Sequence, residues 1–217
     1  MNQFQLYGIT DERFHPGRDI VEVMEQAILG GVSIVQLRDK WSAPDELLHK
    51  ARRLRELTRK HEVLFIVNDH VELALEVDAD GVHLGQDDLS LAEARKQMKS
   101  KLIGISTHRI EEAIAAQREG ADYIGVGPVY ATQTKSDVVA PVGLSYVSEV
   151  AAEIDIPAVA IGGIKLHNVA DVLQAGARRI CAVTEIVGSP QVRQTCEAFI
   201  HAIRNQAVAP GASGRQG

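Results

Sequence analysis

Aromatic side chains are scarce in this chain, at 4%, with one tryptophan, Trp41. A core built from it is therefore expected to be aliphatic, made of Val, Ile, Leu and Ala. Cysteines number two, Cys181 and Cys196, and no Cys/His spacing matches a zinc site. Two core thiols in a reducing cytoplasm account for them. No apolar stretch approaches the roughly 18 residues that a bilayer crossing requires. The first residues, Met1-Asn2-Gln3-Phe4-Gln5, lack a basic segment followed by an apolar one, so no secretory signal is expected. Basic charge is also in deficit: 23 Lys and Arg stand against 29 Asp and Glu, a net charge of −6. That argues against nucleic acid and anionic membrane as general partners, yet leaves room for a local basic pocket. A homo-oligomer stays open.

What is present is ordinary for a globular protein: 45% hydrophobic and 24% charged residues. Short β-branched runs alternate with helical patterns. Strands are expected at 6–10, 34–38, 64–68, 81–84, 102–106, 123–126, 158–161 and 179–183. Between them, apolar residues recur at helical spacing, as in Ile20, Val23, Met24, Ala27, Ile28 and in Leu47, Leu48, Ala51, Leu54, Leu57. Val71, Leu73, Ala74 and Leu75 form a third set, and segments 110–116 and 192–203 two more. The strand runs are continuously apolar, as when both faces of a sheet are buried. A faint repeat precedes every second strand: Gly30-Gly31-Val32, Asp78-Ala79-Asp80, Gly120-Ala121-Asp122 and Gly176-Ala177-Arg178. A tight helix-to-strand turn with a left-handed residue explains it.

Eight parallel βα units of this size close most easily into a (β/α)8, or TIM, barrel. An open doubly wound sheet is the alternative, but the glycine-rich dinucleotide fingerprint after the first strand is missing. A single barrel domain is expected over 1–204. The tail 205–217, rich in Ala, Gly and Ser, is expected to be disordered.

Barrel chemistry sits at the C-terminal ends of the strands. The second strand ends in Gln36-Leu37-Arg38-Asp39-Lys40, and alternation puts Gln36, Arg38 and Lys40 on one side. Cations at an interior mouth are costly without a partner anion. Asn68-Asp69 ends the third strand, Gly85-Gln86-Asp87-Asp88 follows the fourth, and Ser106-Thr107-His108 ends the fifth. Asp69 with Asp87 or Asp88 offers hard oxygen ligands of the kind that hold Mg²⁺ beside a substrate diphosphate. Helix capping is the competing reading of each aspartate alone. After the sixth strand comes Gly127-Pro128-Val129-Tyr130-Ala131-Thr132-Gln133-Thr134-Lys135-Ser136-Asp137. Its hydroxyls at Thr132 and Thr134 donate hydrogen bonds, and Lys135 brings positive charge. Gly162-Gly163 and Val183-Thr184 follow the last two strands, where barrels cradle a monophosphate on backbone N–H groups. Two anion sites suit a reaction between a diphosphate-bearing electrophile and a phosphorylated nucleophile. His83, between Val82 and Leu84, reads as a hydrogen-bonded interior residue, and His108 as a rim residue.

Taken in order, Gln36-x-Arg38-x-Lys40, Asn68-Asp69, the run from Asp80 through His83 to Asp88, Gly104-x-Ser106-Thr107-His108, Tyr123-Ile124-Gly125-Val126-Gly127-Pro128, Thr132-x-Thr134-Lys135 and Gly162-Gly163-Ile164 resemble the motifs of thiamine-phosphate synthases. The resemblance covers about 5–204. It implies coupling of 4-amino-2-methyl-5-hydroxymethylpyrimidine diphosphate to 4-methyl-5-hydroxyethylthiazole phosphate, with Mg²⁺ as cofactor. By position, Asp69 and Asp88 would bind the metal. Arg38, Lys40, Asn68 and Lys135 would hold the diphosphate and Gln36 the pyrimidine. Thr132, Thr134, Gly163, Val183 and Thr184 would hold the thiazole phosphate, with Ser106 beside the reacting groups. The chain departs from the family at Ala131, where proline is usual, and at Glu185, where a small residue is usual. A related thiazole tautomerase is the alternative activity, but it tends to carry a histidine where Pro128 stands and to lose the charged positions kept here. A non-catalytic phosphate sensor is a further alternative.

Overall fold

The computed structural model describes residues 4–132 and 139–208. Eight parallel strands, β1 (Leu6–Ile9), β2 (Ile34–Leu37), β3 (Leu64–Asn68), β4 (Gly81–Leu84), β5 (Leu102–Thr107), β6 (Tyr123–Val126), β7 (Ala158–Ile161) and β8 (Ile180–Cys181), close into a barrel in chain order. Closure runs through β1 and β8, with Leu6 opposite Ile180 and Tyr7 opposite Cys181. The helices are α1 (Ile20–Leu29), α2 (Pro44–Lys60), α3 (Val71–Glu76), α4 (Leu91–Met98), α5 (Ile110–Glu119), α6 (Gly143–Glu153), α7 (Val169–Gln174), α8 (Thr184–Val187) and α9 (Val192–Val208). The last helix runs beyond 204, so residues 205–208, expected in a disordered tail, are helical instead. A continuous helical hydrogen-bond ladder carries a polar, Ala-containing segment past the last buried apolar side chain, Ile203.

Strand periodicity sorts the buried residues into two cores. Val35 and Leu37 of β2, Phe65 and Val67 of β3, and Ile124 and Val126 of β6 point outward. There they meet helix residues such as Met24, Ala27, Leu54 and Val147. That layer is mostly aliphatic, as expected from composition. The barrel interior is a second cluster of Phe4, Tyr7, Ile9, Ile34, Ile66, Tyr123, Val159 and Cys181. Three of its members are aromatic, which corrects the aliphatic expectation: β5 offers Gly104 there, and the Tyr123 ring fills the space a side chain would take.

Helix faces follow the expected stripes with local exceptions. The α1 set of Ile20, Val23, Met24, Ala27 and Ile28 is fully buried. In α3 only Val71 and Ala74 are buried, while Leu75 stands 39% exposed. The helix-to-strand turns carry a left-handed residue in each repeat, at Gly31, Asp78, Gly120 and Gly176. Asp78 adopts this without being glycine, and its carboxylate pairs with Arg59 at 2.7 Å and Lys101 at 2.7 Å. Among the described residues, no helix is long and apolar enough to cross a membrane.

Candidate active site

Period-two alternation also grades the interior from apolar to polar toward the C-terminal mouth. Along β2 the inward positions run Ile34, Gln36, then Arg38; along β3, Ile66 then Asn68. A cavity of about 160 Å³ opens there. Its lining brings together Gln36, Arg38, Asn68, Ser106, Thr132, Gly163, Val183 and Thr184, all expected site residues, from six strand ends. Its floor is Tyr7, Ile9, Tyr123, Val159 and Cys181.

The charged side of this cavity is built by β1 and β2. Thr10 Oγ1 accepts from the Arg38 backbone N–H at 2.9 Å and donates to the Arg38 carbonyl at 3.2 Å, which locks the strand end. Arg38 is 7% exposed, yet among the described residues its Nε and Nη1 have no hydrogen-bond partner. The buried carboxylate of Asp11 lies 3.8 Å from Nη1 and makes close bonds instead to Arg13, at 2.9 and 2.6 Å. Burial pushes the Arg38 guanidinium below its ordinary value, and the Asp11 charge opposes that. A buried cation in a cavity wall whose N–H groups are not all paired is suited to receive an anion. Beside it, the Gln36 amide donates to Asn68 Oδ1 at 2.9 Å.

Lys40 and Asp69 sit at the rim rather than in the cavity lining, paired at 3.5 Å. Asp69 has a left-handed backbone, φ 62°, and its amide is tied to the His83 carbonyl at 2.9 Å. Asp88 Oδ2 accepts from the Gly85 backbone N–H at 2.6 Å. Neither aspartate caps a helix: the caps of α3 and α4 are His70 and Ser90. That removes the competing structural reading. Among the described residues no three acidic, His or Cys side chains converge. Two carboxylates from adjacent strand ends fit a hard divalent cation whose remaining ligands are water and substrate oxygens.

Gly162 and Gly163, with φ of 99° and 63°, form another part of the cavity lining. A Cβ on Gly163 would lie 2.6 Å from the Ala131 carbonyl oxygen, so the strand 6 and strand 7 loops touch only because the side chain is absent. Thr132 lines the cavity, and Val183 and Thr184 enter α8 directly after β8. Thr134 and Lys135 lie outside the described residues. Glu185 sits in the first turn of α8.

Sequence reasoning singled out His83 as an interior residue, and it is one, bonded to Ser106 Oγ at 2.9 Å and Tyr123 Oη at 3.1 Å. It did not find Tyr7, Tyr123 or Asp11 as members of the site, because each lies in an apolar or loop context without a local signal.

The same chain features recur in known proteins. A family model described as thiamine monophosphate synthase matches residues 6–186. The thiamine-phosphate synthase of Halalkalibacterium halodurans is 61% identical over 92% of this chain and 95% of its own length. That of Shouchella clausii is 56% identical over 94% of this chain and 98% of its own. The solved thiamine phosphate pyrophosphorylase from Pyrococcus furiosus superposes with a TM-score of 0.86 at 36% identity, covering 94% of this chain and 98% of that one. On these grounds the chain belongs to the thiamine monophosphate synthase family.

Proposed function

We propose that the barrel mouth couples the hydroxymethylpyrimidine diphosphate to the thiazole phosphate, giving thiamine phosphate and diphosphate, with each residue in the role set out below. Arg38 carries this reading: its buried guanidinium lines the cavity, its nearest charge partner Asp11 is 3.8 Å away, and among the described residues two of its nitrogens have no hydrogen bond, so a diphosphate would complete its pairing. Membership of the family already makes the chain a transferase acting on small phosphorylated substrates.

The carbon–oxygen bond to the diphosphate breaks first, and the electron pair leaves with the diphosphate. A pyrimidine-bearing carbocation remains, and the thiazole nitrogen donates its lone pair to it. No protein nucleophile is needed, so Cys181 and Cys196 stay as buried cysteines outside any disulfide. The chain's task is electrostatic. Arg38 and Lys40 offset the charge that builds on the leaving group, Asn68 binds it, and Gln36 orients the pyrimidine; Lys135, outside the described residues, takes the same part as Arg38 by its place in the motif. Mg²⁺ held by Asp69 and Asp88 would neutralise diphosphate charge as a Lewis acid. Thr132, Thr134, the amides at Gly163 and Val183, and Thr184 hold the thiazole phosphate opposite. The apolar floor under Ser106 excludes water, which would otherwise trap the carbocation as an alcohol. The two cysteines outside any disulfide support a cytoplasmic setting.

The test mixes the full chain with both substrates and Mg²⁺. Thiamine phosphate and diphosphate should appear in equal amounts. No product above background, with tautomerisation of a thiazole carboxylate phosphate instead, would overturn the reading.

A further inference from the structure

Beneath the cavity lies a chain of hydroxyls and one imidazole that the coupling reaction as described does not use. Tyr7 Oη meets Tyr123 Oη at 2.9 Å, Tyr123 Oη meets His83 Nδ1 at 3.1 Å, and His83 Nε2 meets Ser106 Oγ at 2.9 Å. The two tyrosines are 3% and 1% exposed. Ser106 lines the cavity. Space for the Tyr123 ring comes from a missing side chain: a Cβ on Gly104 would lie 2.1 Å from Tyr123 Cζ.

Such a chain can be protonated in two directions. In the first, Ser106 donates to His83 Nε2, His83 Nδ1–H donates to Tyr123, and Tyr123 donates to Tyr7. The Tyr7 hydrogen then has no acceptor, because Tyr123 is the one hydrogen-bond partner of Tyr7 Oη among the described residues. A doubly protonated imidazole leaves the same hydroxyl stranded. In the second direction Tyr7 donates to Tyr123, Tyr123 to His83 Nδ1, and His83 Nε2–H to Ser106 Oγ. Every buried hydrogen is then paired, and the Ser106 hydrogen is left pointing at the cavity. Burial raises the pKa of both tyrosines, Tyr7 and Tyr123, which keeps them as protonated donors.

We infer that Tyr7, Tyr123 and His83 are positioning residues that set His83 as the Nε2–H tautomer and present Ser106 as a hydrogen-bond donor to the substrate. The inference rests on the proposed placement of Ser106 beside the reacting groups. A donor there binds the departing diphosphate oxygen better as charge develops on it, so its effect falls on kcat.

Imidazole ¹⁵N spectra of the ligand-free full chain test the polarity, with the His83 signals identified by their loss in His83→Gln. Protonated Nε2 and bare, hydrogen-bonded Nδ1 are expected. An Nδ1–H tautomer or a doubly protonated ring would overturn the inference. Tyr123→Phe should shift the Nδ1 resonance, lower kcat by about tenfold, and leave the KM for the thiazole phosphate within about twofold. Wild-type kcat in a folded Tyr123→Phe variant would equally overturn it. If that variant fails to fold, the wild-type spectrum decides. Failure of the wild-type chain to make thiamine phosphate would count against the functional reading and leaves the spectrum unaffected.

Discussion

Arg38 shows how a single side chain can be wrong for stability and right for function. Its guanidinium is buried, two of its nitrogens lack hydrogen-bond partners among the described residues, and the carboxylate of Asp11, 3.8 Å away, is committed to Arg13. Removing such a charge while keeping the apolar stem costs little stability. Arg38→Met should therefore lower kcat/KM for the pyrimidine diphosphate by at least about 100-fold, with a melting temperature equal to or above wild type in a thermal scan. A steep fall in melting temperature would make Arg38 a structural anchor instead. Asp69 and Asp88 face a different test, because neither caps a helix and neither supports the core. The double variant Asp69→Ala with Asp88→Ala should retain its circular dichroism spectrum while turnover collapses at any Mg²⁺ concentration. Persisting activity would remove both from the metal site.

At the scale of elements, Lys50 of α2 ties the mouth loops together. Its ammonium pairs with Asp39 at 2.9 Å and Glu46 at 3.0 Å, and also with Glu12 of the β1 loop. Asp39 in turn accepts from the Trp41 and Ser42 backbone N–H groups at 2.9 and 3.0 Å. This fixes the segment that carries Arg38 and Lys40. Burial works against the Asp39 charge, but the bonds from Trp41, Ser42 and Lys50 outweigh it and hold the carboxyl below its ordinary 3.8. A depressed folded value means stability that is complete above the unfolded value and lost as pH falls through the folded one. Asp39→Asn should cost about 2 kcal/mol at neutral pH, and the gap to wild type should narrow as pH drops below 3.8. Urea titrations at several pH values measure it; a gap independent of pH would show that the bonds, not the charge, matter.

For the whole molecule, the barrel is held at its seam. β8 is a two-residue strand, so β1 and β7 share few backbone bonds with it. The terminal helix compensates: α9 packs on α1, α7 and α8, with Cys196 and Phe199 fully buried. The seam also separates Thr10 and Arg38 on one side from Thr184 on the other, so its closure would set the distance between the two proposed anion sites. Phe199→Ala should cost about 3–5 kcal/mol, read as a lower urea midpoint. A cost below about 1 kcal/mol would mean that the seam does not depend on α9.

Much of this was legible in the amino-acid order. Strand positions, their parallel succession, the polar residues at each strand end and the interior place of His83 all follow from local periodicity, which the backbone reads within a few residues. The four left-handed turns were visible as a repeat, down to an aspartate at 78. What only the tertiary structure decided involves partners far apart in the chain. No local pattern pairs Tyr7 with Tyr123 or leaves Arg38 without a close carboxylate. The physical reason is that periodicity settles which way a side chain points, whereas barrel closure settles which side chains meet. The hydrogen-bond inventory of the interior, and with it the chemistry at Ser106, exists only once all eight strands have closed.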